Sequence, residues 1–187
     1  MSLIKYLYRS DIVIAQLVGS VMIIGSSTLF GYYKGNSYKN RVELLKRFRG
    51  SLQMLETEIM YGATSLPVAF SNVGRKMDYP FSDFYGDLSE GLLERIFEFV
   101  DEAWDKICEY VFIDRGLGFK KEDIELIKGF GKVLGCSDRA DQKKHFDLFY
   151  VQIDGNIDKA EEDRKSHEKL YKNMGFLIGC GVSVILL

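Results

Sequence analysis

The chain is poor in the residues that most often announce chemistry. Its three cysteines, Cys108, Cys136 and Cys180, are odd in number, and none stands in a C-x-x-C pair. That pattern argues against a disulfide framework and against a cysteine-ligated zinc site, and it fits a reducing compartment. Histidines number two, His145 and His167, and prolines also two. No stretch alternates apolar with polar residues over a strand's length, which leaves helices as the building material. Neither sign of charge dominates: 25 Lys and Arg stand against 27 Asp and Glu in 187 residues. Without a clustered basic surface, nucleic acid is not an expected partner. No internal repeat and no low-complexity tract is present, so length and composition suit one packed domain.

Two segments lack charge altogether. Residues 12–33, "IVIAQLVGSVMIIGSSTLFGYY", run for 22 residues without an acid or a base. At ~1.5 Å per residue such a helix spans roughly 30 Å, the thickness of a bilayer's hydrocarbon layer. The chain also closes on the apolar "NMGFLIGCGVSVILL", residues 173–187, which is 15 residues long. That is short of the usual ~20, but continuation from "EKLYK", with the Lys169 and Lys172 stems snorkelling, lets it cross. Cleavage as a signal peptide, with a mature start near Ser27, is the competing reading of the first run. The run is longer than a usual signal core and no A-x-A site follows it. An unbroken apolar surface is also unlike a helix buried in a soluble protein.

Flanking charge predicts orientation. Lys5 and Arg9 precede the first run, whereas Lys34, Lys39, Arg41, Lys46, Arg47 and Arg49 follow it. Lys165, Lys169 and Lys172 precede the second, and nothing basic follows. The positive-inside rule places the segment between the runs in the cytoplasm. The expected organisation is an extracytoplasmic tail (1–11), a membrane helix (12–33), a cytoplasmic helical bundle (34–172) and a second membrane helix (173–187).

Within the body, Tyr38, Val42, Leu45, Phe48, Leu52, Leu55 and Ile59 recur at steps of three and four, the period of an amphipathic helix. Gly62 stops it, and Thr64 or Ser65 caps a short helix with Pro67 in its first turn. Residues 79–86, broken by Pro80 and Gly86, predict no more than a turn of helix. A longer pattern covers 88–112 through Leu92, Leu93, Ile96, Phe99, Val100, Trp104 and Ile107. "DRGLG" ends it, "KKEDIELIKGFGKVL" forms another helix, and Ser137 or Asp138 caps a last one that runs toward the second apolar segment. The expected fold class is an all-α helical bundle.

Two motifs invite chemistry. "GFGKVLG", residues 129–135, has neither the spacing nor the strand-to-helix setting of a phosphate loop, and its glycines read as close-packing positions between helices. "GCSDRADQKKH" places Asp138, Asp141 and His145 on one helix face. With Glu56 and Glu58 from "LETEI" these could ligate a divalent ion, so a membrane-anchored metal-binding or regulatory domain is the alternative function. Catalysis has less support, since no nucleophile, base and orienting group can be assembled. The plainest reading is a capped helix with a solvated polar face.

At these residues the chain resembles a known family. "LETEIMYGATSLPVAF", "FGKVLGCSDRADQKKHFDL" and "EKLYKNMGFLIGCGVSVILL", in that order and between two apolar segments, resemble the stage III sporulation protein AB family of endospore-forming bacteria. Residues 71–118 match only loosely, around "EAWDKI". The resemblance implies a non-enzymatic, cofactor-free membrane protein on the mother-cell side of the channel between mother cell and forespore. Its soluble domain would be similar to the F-domain of the type II secretion and type IV pilus inner-membrane platform. The implied partners are an ATPase like stage III sporulation protein AA, the other membrane proteins of the channel, the lipid bilayer and further copies of the chain. Glu56, Glu58, Asp138, Arg139, Asp141, Lys144 and His145 then read as an inter-helix and docking surface, with Glu56 or Glu58 meeting Arg139, Lys143 or Lys144.

Overall fold

In the computed structural model, helices make up most of the described chain, which comprises residues 2–62, 64–135 and 139–186. Side chains are described for residues 16–62, 64–135 and 141–185. The helices are α1 (Ser2–Met60), α2 (Leu66–Gly74), α3 (Phe81–Leu93), α4 (Val100–Cys108), α5 (Lys121–Gly131) and α6 (Arg139–Leu186). The π-helical segment Glu109–Asp114 extends α4. No strand occurs among the described residues. The chain divides into two units, Arg41–Ala160 and a second made of the residues up to Asn40 and from Glu161 onward.

Arg41–Ala160 is built round aromatic rings. The periodic stripe of α1 buries Val42, Leu45, Phe48, Leu52, Leu55 and Ile59. The Phe48 ring lies 6.0–6.4 Å from those of Phe81, Phe84, Trp104, Phe112 and Phe149, mostly tilted or edge-on as aromatic quadrupoles prefer. Trp104 is fully buried, and its indole Nε1–H donates to the Ile127 carbonyl at 2.8 Å. Its ring lies against Gly131, where a Cβ would collide with it. That contact explains one glycine of "GFGKVLG": α5 and α4 approach closely there. Gly135 of the same motif has φ +81°, the left-handed region that glycine enters at little cost.

The core also holds a charge. Arg41 and Asp123 are both buried. Arg41 Nε and Nη2 donate to the two carboxylate oxygens of Asp123 at 2.8 and 2.9 Å, and Nη2 reaches Glu122 at 2.9 Å. Asn156 Nδ2 (3.0 Å) and the Lys120 backbone N–H (2.9 Å) complete the shell round Asp123. Four donors on one carboxylate make its burial tolerable. Each member sits in the apolar register of its helix, with Arg41 one turn before Leu45, Asp123 one turn before Ile127, and Asn156 between Ile153 and Ala160.

Residues 79–112 differ from the sequence reading. Phe81, Phe84, Tyr85 and Leu88 are buried at helical spacing, so α3 begins directly after Pro80 and runs through Gly86. The expected single helix over 88–112 is broken instead. The Ile96 N–H bonds to the Gly91 carbonyl at 2.9 Å and the Arg95 N–H to that of Leu92 at 3.4 Å, closing a Schellman turn. Its left-handed position is occupied by Arg95, φ +58°, rather than glycine, so no breaker residue marks it in the sequence. As a result Leu93, Ile96 and Phe99, expected inward, are 60–65% exposed.

The second unit packs by other means. Among the described residues, Ser20, Gly31 and Gly35 of α1 and Gly175, Gly179 and Ser183 of α6 are its buried ones. A Cβ on Gly31 would stand 2.8 Å from Gly175 Cα, and one on Gly179 would stand 2.9 Å from Ile24 Cα. Ser27 Oγ donates to the Gly175 carbonyl at 2.6 Å, and Ser183 Oγ to that of Ser20 at 3.3 Å. Large apolar residues point away from this seam: Val21, Met22, Leu29, Phe30, Leu177 and Val184 are 64–74% exposed. Among the described residues no helix is long and apolar enough to cross a membrane, unlike the expectation for 12–33 and 173–187. From residue 16 onward, the seam's glycines and hydroxyls dilute the apolar content of the first run. In α6, three glycines, Gly175, Gly179 and Gly181, and the lysines before the second run do the same. The side chains of residues 12–15, the most apolar part of the first run, lie outside the described residues.

Candidate partner-docking site

The polar face predicted from "SDRADQKKH" opens α6. Asp138 lies outside the described residues, as does the Arg139 side chain. Asp141 and Lys144 are exposed and paired one turn apart at 2.7 Å, and that hydrogen bond holds the Asp141 carboxyl below its ordinary value. His145 is half-buried. The stripe continues at steps of three and four into Leu148 and Val151, which are 58% and 72% exposed. An apolar pair beside a charged pair on one exposed face is the composition of a protein contact rather than of a reaction centre.

The two glutamates part company. Glu56 faces α6: Lys143 Nζ lies 3.2 Å from Oε1, and the Tyr150 hydroxyl donates to Oε2 at 2.8 Å. The hydrogen bond with Glu56 raises the Lys143 pKa. Burial, then the same glutamate, raises that of Tyr150. Two turns earlier on α1, Arg49 clasps Asp154 at 2.6 and 3.1 Å, so a second ion pair joins α1 to α6. Glu58 turns to α2 instead. It accepts from Asn72 Nδ2 at 2.9 Å and pairs with Lys76 at 3.2 Å, and the Asn72 hydrogen bond leads the lowering of its pKa. Glu56 therefore staples the α1–α6 seam of Arg41–Ala160, while Glu58 fastens the turn after α1.

This separation bears on the metal reading. Among the described residues no three His, Cys, Asp or Glu side chains gather to hold an ion. Cys108 is buried and its thiol is pushed up to about 12 by that burial, which keeps it from acting as a nucleophile. Sequence reasoning missed Leu148 and Val151, since exposed apolar residues on a helix next to a core stripe look like part of that stripe. Their signal was offset: Phe146, Phe149 and Ile153 form the buried register, and Leu148 and Val151 fall between its members.

Comparison with known proteins agrees with this architecture. The family profile of stage III sporulation protein AB matches residues 16–187. The chain is 31% identical over 172 residues to stage III sporulation protein AB of Bacillus subtilis (strain 168), covering 92% of this chain and 99% of that protein. A solved structure of a stage III sporulation protein AB superposes with a TM-score of 0.61 at 30% identity, over 68% of this chain and 98% of that one. On this match of sequence and helical fold, the chain belongs to the stage III sporulation protein AB family.

Proposed function

We propose that the chain is a non-enzymatic membrane scaffold of the channel between mother cell and forespore, coupling a cytoplasmic ATPase like stage III sporulation protein AA to the channel's membrane proteins. The observation that carries this reading is the inside-out packing of residues 16–40 and 161–185. Glycines and serines meet at the seam while Leu, Ile, Val and Phe face outward. Water would penalise that arrangement; lipid tails accept the outward residues, and small residues let backbones approach where no hydrophobic drive exists. The two apolar segments form a membrane hairpin, and the Lys and Arg of residues 34–49 and 165–172 hold the helical domain on the cytoplasmic side of the mother-cell membrane. The exposed α6 face of Asp141, Lys144, Leu148 and Val151, with Asp138 and Arg139 before it, receives the partner; its charges orient more than they tighten.

Two measurements test this. In protoplasts of sporulating cells, external protease should spare Arg41–Ala160 and digest it only after lysis; digestion of intact protoplasts would overturn the topology. Asp138→Lys with Asp141→Lys should abolish co-purification of the ATPase at unchanged helicity, and undiminished capture would remove the docking claim.

A further inference from the structure

Away from the α6 face, a trough of about 430 Å³ runs between α2 and α3 of Arg41–Ala160. Its lining is short. Ser82, Gly86 and Ser89 follow one another at steps of four and three on one face of α3, with Leu93 beyond them. Ser71 and Gly74 line the α2 side. The two helices come close here, since a Cβ on Gly74 would stand 3.3 Å from the Gly86 N. Gly86 has no such reason to be glycine. A Cβ on it would meet nothing within 4 Å, and glycine inside a helix costs stability relative to alanine. Ser89 is the second oddity. It is 5% exposed, and among the described residues its hydroxyl has no hydrogen-bond partner. A buried hydroxyl left unpaired is a cost that an occupant of the trough removes.

The rim carries Arg75, Glu90 and Glu94. Arg75 is laid back along α2, its Nε donating to the Ser71 carbonyl at 3.3 Å and its Nη2 to Asn72 Oδ1 at 2.9 Å. Glu90 and Glu94 stand one turn apart, a like-charge pair that opposes the helix. Among the described residues none of the three belongs to an ion pair. The trough thus offers two acids and one base, all open to a partner.

We infer that this trough receives a helix of another protein, one that crosses Gly86 with a small residue, sets a base between Glu90 and Glu94, and takes the Ser89 hydroxyl on a backbone carbonyl. The chain itself shows the pattern. Where residues 16–40 meet residues 161–185, glycines bring two helices together, and the Ser27 and Ser183 hydroxyls donate to carbonyls of the facing helix at 2.6 and 3.3 Å. α3 has the same equipment, a glycine with a serine one turn to either side. The surplus acid on the rim selects a basic partner face. A second copy fits less well. Among the described residues, its exposed helical glycines in Arg41–Ala160 are Gly129 and Gly155. Gly129 lies two residues from the end of α5, too late for that helix to lie along the trough. Gly155 is followed by Lys159, but Asp158 and Glu162 flank that lysine and would face the two glutamates. This contact goes beyond the ATPase-docking reading and uses a different surface.

The test places a benzophenone amino acid at Leu93, beside the trough, in the full chain in sporulating cells. Illumination should join it to another protein. Mass spectrometry should map the adduct to a helical segment with Gly, Ala or Ser three or four residues from Lys or Arg. Gly86→Leu should lower the yield by about tenfold or more, while the urea midpoint of the purified chain, read by Trp104 fluorescence, falls no lower than the parent's. Ser89→Ala should lower the yield about fivefold. Glu90→Lys with Glu94→Lys should abolish the adduct, and replacing the mapped base by Glu should restore it. Should Gly86→Leu reduce the urea midpoint, the charge variants decide, since both lie at exposed positions. An adduct with a second copy alone, or with no protein, would overturn the proposal. So would a mapped segment without a base, or a yield indifferent to Gly86→Leu in a folded chain or to the charge reversals.

Discussion

Residues 20–35 of α1 meet α6 through serines and glycines, with Val21, Leu29 and Phe30 turned outward. Residues 42–59 of the same helix bury Val42, Leu45, Phe48, Leu52, Leu55 and Ile59, with charged residues turned outward. One helix thus follows two opposite packing rules along its length. In water, association is driven by the apolar area removed, so large side chains point in. Where the surroundings are as apolar as the side chains, that drive is gone, and contact is won by backbone proximity and hydroxyl hydrogen bonds. The change of rule falls between Gly35 and Arg41, where lysines and arginines gather on the chain.

The contrast can be broken at chosen points. Trp104, the single tryptophan, reports unfolding of Arg41–Ala160 alone, so urea titrations of the full chain in micelles isolate that unit. Asp123→Leu should cost about 3–5 kcal/mol by taking from buried Arg41 its bidentate carboxylate, while Arg41→Met with Asp123→Leu should recover most of the loss. Phe48→Ala should cost about 3–5 kcal/mol through the cavity left among five rings. Gly31→Leu should leave the Trp104 midpoint in place yet separate the other seam. A Ser20→Cys/Ser183→Cys pair should oxidise to a disulfide in the parent chain and fail to do so with Gly31→Leu.

Smaller effects follow from charge. Glu58 has a lowered pKa in the folded chain, through Asn72 and then Lys76, so its contribution is present above the unfolded value of 4.5 and is lost as pH falls through the folded one. Glu58→Gln should therefore be less stable than the parent at pH 7, with the two converging in acid; parallel pH profiles would show that the carboxylate adds nothing. Leu148→Asp with Val151→Asp, on an exposed face, should change stability by no more than about 0.5 kcal/mol while abolishing partner capture.

Much of the helical framework was legible because its signals are periodic. The stripe from Val42 to Ile59 and the run Ile124, Ile127, Phe130 each state which face is buried. The Schellman turn at Arg95 was not legible, since "LLERIF" contains no glycine or proline and continues the helical period across the break. The Arg41–Asp123–Asn156 cluster had a signal that was passed over: a charged residue in an apolar register needs a partner from another register. The α6 face was visible as polarity at Asp141 and Lys144, but its apolar half at Leu148 and Val151 emerges only once Phe149 and Ile153 are seen to take the core. Glu56 and Glu58, adjacent in "ETE", go to different helices because two residues apart on a helix is about 200° of rotation.

The serine and glycine seam has a further property. Its small residues recur every fourth position, at 27, 31 and 35 on one helix and at 175, 179 and 183 on the other. Sliding one helix past the other by a full turn, ~6 Å, would again set small against small, with Gly31 opposite Gly179. The repeat thus selects which sides touch but is nearly indifferent to height, like a ladder with equal rungs. Among the described residues, two hydroxyls, Ser27 on the Gly175 carbonyl and Ser183 on that of Ser20, and the stacking of Tyr38 on His167 and Tyr171 pin the rung that is used.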